Sequence, residues 1–263
     1  MEILVCVRRV PDTSENEIEL NNSGNDIERD DLVYSINEPD NYAVEEALQI
    51  AARVGGTVSV VTVGGEDDEE VLRREMAMGA SHGILLSDPD FAGSDGRGIA
   101  SILKAFVQKG QYDLILTGVQ AEDGGAQVGG MLAAMLDYPF ASLVTGIEVL
   151  DGKKLKISRE IEGGNKEVSE IDLPCVLSIQ TGINEPRYVG MKGIRAVQSI
   201  PIPTHSAAEL GFHAGDIGAA AAKVTRVDYF LPALGKGARM LDKSREENAE
   251  EVLQLIAAKG GLK

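Results

Sequence analysis

The feature that most limits the fold is an alternation of two periodicities over the first half of the chain. Short β-branched runs at residues 2–10, 57–63, 83–86 and 112–116 lack polar alternation, as strands covered on both faces require. Between them, residues 41–53, 67–78 and 98–109 carry apolar positions at helical spacing. The stripe Val71, Leu72, Glu75, Met76 is one example, and Gly79 ends it. Four strands separated by helices predict a parallel sheet with right-handed crossovers.

After Pro139 the pattern changes. Residues 143–150, 155–161 and 167–173 read as strands split by Asp151-Gly152 and by Gly163-Gly164-Asn165, which suits antiparallel hairpins. The run PCVLSIQ, residues 174–180, reads as one further buried strand returning to the main sheet. Residues 184–222 carry Pro and Gly without a sustained period and read as an extended arm. A last helix fits residues 246–259, with Ala249, Val252, Leu253 and Ile256 on one face and Gly260 as its stop. The fold class is therefore α/β: a doubly wound, mostly parallel sheet with an antiparallel hairpin insertion and an extended C-terminal arm.

Composition narrows the function. A net charge of −17 opposes nucleic acid and anionic membrane surfaces, because phosphates need clustered Lys and Arg. The acidic runs at residues 12–31 and 66–70 read as solvated surface. No apolar run approaches the roughly 18–20 residues of a membrane span. The start, MEILVCVRRV, reads as a strand and lacks the pattern of a signal peptide. Cys6 and Cys175 lie in apolar runs, as buried thiols of a reducing cytoplasm would. His82, His205 and His213 are too scattered for a metal cluster or a Ser-His-Asp set, and no CxxC pair or acid–base pair stands out. No catalytic residue is expected.

The stretch TGVQAEDGGAQVGG, residues 117–130, places five glycines in fourteen residues between a strand and a helix. Gly118 stands where the strand should end. Gly124, Gly125, Gly129 and Gly130, with Ala121 and Ala126, remove bulk, and the glycines permit positive φ. Backbone N–H groups can then converge on an anion at the next helix start. Without a following Lys-Ser or Lys-Thr this is no Walker loop, and it does not read G-x-G-x-x-G. It is either a site that holds a nucleotide without cleaving it or a loop that tolerates glycine. Of Glu122 and Asp123, one would face ribose hydroxyls. A second clue is INEPD, residues 36–40: Asp40 or Asn41 can cap the following helix, and Asn37 can hydrogen-bond a base edge or ribose.

Together these pieces resemble the β subunit of electron-transfer flavoproteins over nearly the whole chain. The resemblance rests on VCVRRVPDT, INEPDNYAVEEAL, MAMGA and GVQAEDGGAQVGG. It continues through ISREIEGGNKEVSEIDLPCVLS at residues 157–178 and NEPRY at residues 184–188, all in the family's order. It implies a sheet of the adenine-nucleotide-binding type over residues 1–183, with the hairpin region at about 143–173. Residues 184–263 would supply a partner-recognition loop and an arm and helix contacting an α subunit. The heterodimer would share an FAD held largely by the α subunit, and the β subunit would bury a structural AMP.

Carried over by position, the AMP pocket comprises Cys6, Asn37, Glu38, Pro39, Asp40 and Val63. The loop adds Gly118, Gln120, Ala121, Asp123, Gly124, Gly125, Ala126, Gln127, Val128 and Gly129. The loop ends QVG, as in electron-bifurcating members, which hold a second FAD in place of AMP. The implied role is an electron carrier rather than an enzyme. It would pass electrons from a flavin dehydrogenase, of the acyl-CoA type, through FAD to a quinone-linked or other redox acceptor. The position of the family's docking residue is Met191, with Lys192 and Arg195 adding positive charge beside it. A stress-protein-like nucleotide-sensing module and an ATP-dependent ligase-like enzyme are the readings from other classes.

Overall fold

The computed structural model describes residues 1–121, 125–233, 235 and 237–261. They form two compact units, residues 1–19 with 28–227 and residues 20–27 with 228–263.

In the larger unit the chain runs β1 (Glu2–Cys6), β2 (Arg9–Pro11), β3 (Tyr34–Ile36), α1 (Glu38–Val54), β4 (Thr57–Val63), α2 (Glu69–Met78) and β5 (His82–Leu86). It continues through α3 (Gly96–Val107), β6 (Leu114–Gly118), α4 (Val128–Leu136), β7 (Phe140–Val149), β8 (Lys154–Ile161), β9 (Asn165–Asp172) and β10 (Cys175–Ile179). It ends with α5 (Met191–Val197) and β11 (Thr204–His205), and α6 (Arg245–Ala258) belongs to the smaller unit. The main sheet has nine strands in the order β11-β5-β4-β1-β6-β10-β7-β8-β9, parallel from β11 to β7 and antiparallel through β8 and β9. The α/β class, parallel sheet, hairpin insertion and returning strand are all as the sequence predicts.

Alternation along each strand sorts the core into two layers. Ile3, Val5, Leu114, Leu116 and Leu177 face α1 and α2, where Val44, Ala47, Ile50 and Leu72 meet them. Leu4, Ile115 and Val176 point the other way, toward Ile102, Leu103 and Phe106 of α3 and Leu132 of α4. Both faces are covered, which explains the unbroken apolar runs.

Two expectations need correction. The first run is two strands. Val7 N–H still bonds Val61 at 2.9 Å, but β2 then leaves the sheet and pairs antiparallel with β3. Arg9 stacks over the Tyr34 ring in this ribbon, 3.8 Å from its centroid. The arm after residue 184 also holds regular structure. Residues 191–197 form α5, too short and glycine-broken to show a period, and β11 adds an edge strand beside β5, with Pro203 O accepting from Leu85 N–H at 3.0 Å.

In the smaller unit, α6 is closed at its start by a capping box: Ser244 Oγ accepts from Glu247 N–H, and the Glu247 carboxylate accepts from Ser244 N–H. Its apolar residues Val252, Leu253, Leu255 and Ile256 are exposed. No described helix of the chain is long and apolar enough to cross a membrane.

One buried carboxyl lies in the core without a partner. Glu75 of α2 is fully buried and neither carboxyl oxygen has a hydrogen-bond partner. Burial pushes its carboxyl up to about 8, against the pull of Arg74, with Asp40 and Glu45 adding to the rise. A folded value above the unfolded one means that stability falls as pH rises from near 4.5 through about 8. Glu75→Met should therefore stabilise the protein by about 1–3 kcal/mol at pH 9. The gain should shrink at pH 5. Chemical denaturation at both pH values checks this, and an equal gain at both would contradict it.

Candidate functional site

The sheet order reverses between β1 and β6, because the chain builds β4 and β5 on one side of β1 and then crosses to the other. Adjacent strands whose connections leave in opposite directions open a crevice at their carboxyl ends. Cys6 and Thr117, paired in register, lie at that end, and Gly118 follows. Val63 ends β4 beyond them.

The wall of the crevice is the start of α1. The β2–β3 ribbon delivers it there, and Asn37 N–H donates to Arg8 O at 2.8 Å. The sequence suggested Asp40 or Asn41 as the cap. The cap position is instead Asn37, whose side chain makes no capping bond, with Glu38 and Pro39 already in the first turn. Asn37 Nδ2 reaches across to donate to Gln120 O at 2.9 Å, and Asp40 Oδ1 accepts from Gly118 N–H at 2.8 Å. These two bonds tie α1 to the outgoing limb of the glycine loop. Val119 N–H adds a third tie, to Ile179 O of β10 at 2.9 Å.

Gly118 is required by proximity. A Cβ there would lie 2.3 Å from Asp40 Oδ1 and 2.9 Å from Asp40 N. Gly129 is required for the same kind of reason, since its Cβ would lie 2.4 Å from Ser178 Oγ and 2.9 Å from Thr117 Oγ1. Those two hydroxyls share a buried 2.8 Å hydrogen bond. They let the first turn of α4 settle onto β6 and β10. The positive φ foreseen for these glycines is not used at Gly118, Gly125, Gly129 or Gly130; Ala126 adopts it instead, at 54°. Gln127 lies against Gly96 of α3, where a Cβ would sit 2.8 Å from its Oε1. Asp123 and Gly124 lie outside the described residues, as does Glu122.

Asn37 Oδ1 and Asn41 Oδ1 are buried without a partner. At α4, Val128 opens the helix, no acid sits in its first turn and, among the described residues, Gln127 makes no side-chain cap; a helix start of this kind favours an anion. Burial raises the Asp40 carboxyl to about 7, opposed by hydrogen bonds from Asn37 and Gly118. The Cys6 thiol is pushed far up by burial and then by Asp40, so it stays protonated and is no nucleophile. Ala121 and Gly125 flank the loop segment outside the described residues. Thr117 and Ser178, which hold α4 at this site, were not singled out from sequence, and Asn41 was suggested there only as a cap.

Met191, Lys192 and Arg195 lie on α5, away from this crevice in sequence and held by other elements. All three are exposed, Met191 by 63%. Gly190 is the helix cap and Gly193 packs toward Ala77 O, where a Cβ would sit at 3.4 Å. The glycines here serve a helix rather than an adaptable loop.

Gly118→Ala should cost about 1–3 kcal/mol by forcing α1 off the end of β6. Gly130→Ala should be neutral or stabilising by up to about 1 kcal/mol, because it sits in a helix and its Cβ would meet the Phe140 ring at 3.4 Å. Melting curves of the two variants decide; equal losses would contradict the proximity argument.

Comparison with known proteins agrees with this geometry. The model of the electron transfer flavoprotein domain matches residues 25–210. The electron transfer flavoprotein subunit beta of Methylophilus methylotrophus is 34% identical over 260 residues, covering 97% of this chain and 98% of its own. The subunit of the same name from Thermoanaerobacterium thermosaccharolyticum is 40% identical over 195 residues, 74% of each chain. The caffeyl-CoA reductase-Etf complex subunit CarD of Acetobacterium woodii is 36% identical over 244 residues, 92% of each chain. A match of this extent, over a parallel sheet with a glycine-lined switch-point crevice, shows that the chain belongs to the electron transfer flavoprotein family.

Proposed function

We propose that this chain is the β subunit of a heterodimeric electron-transfer flavoprotein, carrying electrons from a flavin dehydrogenase to a quinone-linked or other redox acceptor. The near full-length similarity to beta subunits supports the electron-transfer role most directly. Redox chemistry comes from an FAD shared with an α subunit. The chain itself contributes binding, shielding and docking surfaces. An acyl-CoA type dehydrogenase is the proposed donor.

Within the β chain we assign the crevice to AMP. The unpartnered Asn37 Oδ1 and Asn41 Oδ1, together with the uncapped start of α4, are the observations that support it. Asn37 and Asn41 would meet the base or ribose. The backbone from Gly118 through Gln120, Ala121, Asp123, Gly124, Gly125, Ala126 and Gln127 to Val128 and Gly129 would surround the phosphate. Cys6, Glu38, Pro39, Asp40 and Val63 would form the walls. A second FAD in the same place, as the QVG ending suggested, is the competing occupant.

The smaller unit carries exposed Phe230, Leu231, Met240, Leu253, Leu255 and Ile256. Such a concentration of apolar surface needs a cover, and the α subunit is the proposed one. Met191, with Lys192 and Arg195 beside it, is the proposed contact with the dehydrogenase; the positive pair steers an otherwise acidic protein toward an acidic surface.

Two outcomes follow. Co-expression with the cognate α chain should yield a yellow heterodimer, whereas a colourless chain that never assembles would rule out the subunit assignment. Met191→Ala should weaken productive docking with the dehydrogenase by about 1–3 kcal/mol. Flavin content and melting temperature should stay unchanged. A fall in stability with steady partner kinetics would make Met191 a core residue instead.

A further inference from the structure

The exposed face of α5 is held in place by side chains that lie outside it. Asn184 Nδ2 donates to Tyr42 O and to Glu46 Oε2, each at 3.1 Å. Three residues on, Arg187 meets the Glu45 carboxylate as a fork: Nε to Oε2 at 2.7 Å and Nη2 to Oε1 at 2.9 Å, with its own N–H adding a bond at 3.2 Å. Glu45 is buried, and burial works to raise its carboxyl; the hydrogen bonds from Arg187 and Gln49 outweigh that and hold it below its usual range. Gly79, the stop of α2, has a φ of 140°, and a Cβ there would lie 3.3 Å from Leu48.

The far end of α5 is held by α2. Arg73 Nη1 donates to Val197 O at 2.7 Å and to Ile200 O at 2.5 Å, while Nε and Nη2 are held by Glu69 Oε1. Val197 O also accepts from Ile200 N–H at 3.1 Å, and the Arg73 guanidinium adds a charged donor at this end of α5. Between the two arginines, Tyr188 is 93% exposed, and Met191, Lys192 and Arg195 also face solvent. A seven-residue helix is too short to persist by itself in water. Its order comes from these anchors together with Val197, which is buried in the core, and Val189, which packs against it.

We propose that Arg187, through Glu45, and Arg73, through the carbonyls of Val197 and Ile200, are positioning residues that hold the α5 surface in its docking shape before the dehydrogenase arrives. This rests on the assignment of that surface to the dehydrogenase. Binding to an ordered segment avoids the entropy of ordering it during association, so the effect falls on affinity rather than on the electron-transfer step. Lys cannot replace Arg187, because a single ammonium cannot reproduce the fork.

The test uses the purified heterodimer carrying Arg187→Lys, Glu45→Gln or Arg73→Gln, with wild type and Met191→Ala as references. Hydrogen exchange is followed by mass spectrometry over residues 189–197, and reduction by an acyl-CoA dehydrogenase with its saturated acyl-CoA is followed by flavin absorbance. Each clamp variant should raise exchange in this segment by about tenfold or more, with the β1 and β4 amides unchanged. KM for the heterodimer should rise several-fold while kcat holds. Unchanged exchange in all three variants would overturn the proposal, as would rescue by Arg187→Lys. Raised exchange with KM unchanged, and Met191→Ala equally silent, would support the clamps and overturn the docking role of the surface instead.

Discussion

The contact between Gly118 and Asp40 is the constraint on which the site depends. Because β6 ends in a residue without a side chain, the first turn of α1 comes close enough for Asp40 to accept a 2.8 Å hydrogen bond from the strand's last N–H. That approach fixes where α1 begins. It places Asn37 over Gln120 and sets the near wall of the crevice. On the opposite side, Gly129 allows α4 to settle onto the Thr117–Ser178 hydroxyl pair, so both helices that frame the crevice are positioned by missing side chains. The same helix α1 carries Glu45 and Glu46, which hold residues 184–187. One element therefore serves the crevice at its start and the exposed α5 surface at its middle.

Most of the architecture was legible in the sequence because it follows from burial alone. Strands covered on both faces must be apolar throughout, and helices between them must show a stripe; β4 and β5, α2 and the β7–β10 region carry those patterns plainly. The break between β1 and β2 was not legible. No glycine or proline marks it, and its cause is the pairing of Arg9–Pro11 with a strand about twenty residues further along. The helix α5 was missed for a related reason: of its seven residues only Val197 is buried, and its ends depend on Arg73 and the 184–187 anchors.

The glycine loop shows the same limit at the level of single residues. Its position at the end of a parallel strand identified the crevice. The physical purpose of each glycine did not follow from its presence. Close approach explains Gly118 and Gly129, whereas the one described residue of the loop with positive φ is Ala126. Likewise, INEPD pointed to the start of α1 but to the wrong cap. Asp40 is committed to Gly118, while Asn37 bridges to the loop with one end of its amide and keeps the other buried without a partner.

The central claim is that this crevice holds an adenylate while the flavin is shared with a second subunit. Denaturing the purified heterodimer and quantifying the released nucleotides tests it most directly. The account predicts one FAD and one AMP per heterodimer, with AMP lost and FAD kept when Asn37 and Asn41 are both replaced by Ala. Two FAD per heterodimer, or AMP retained in full by the double variant, would contradict it.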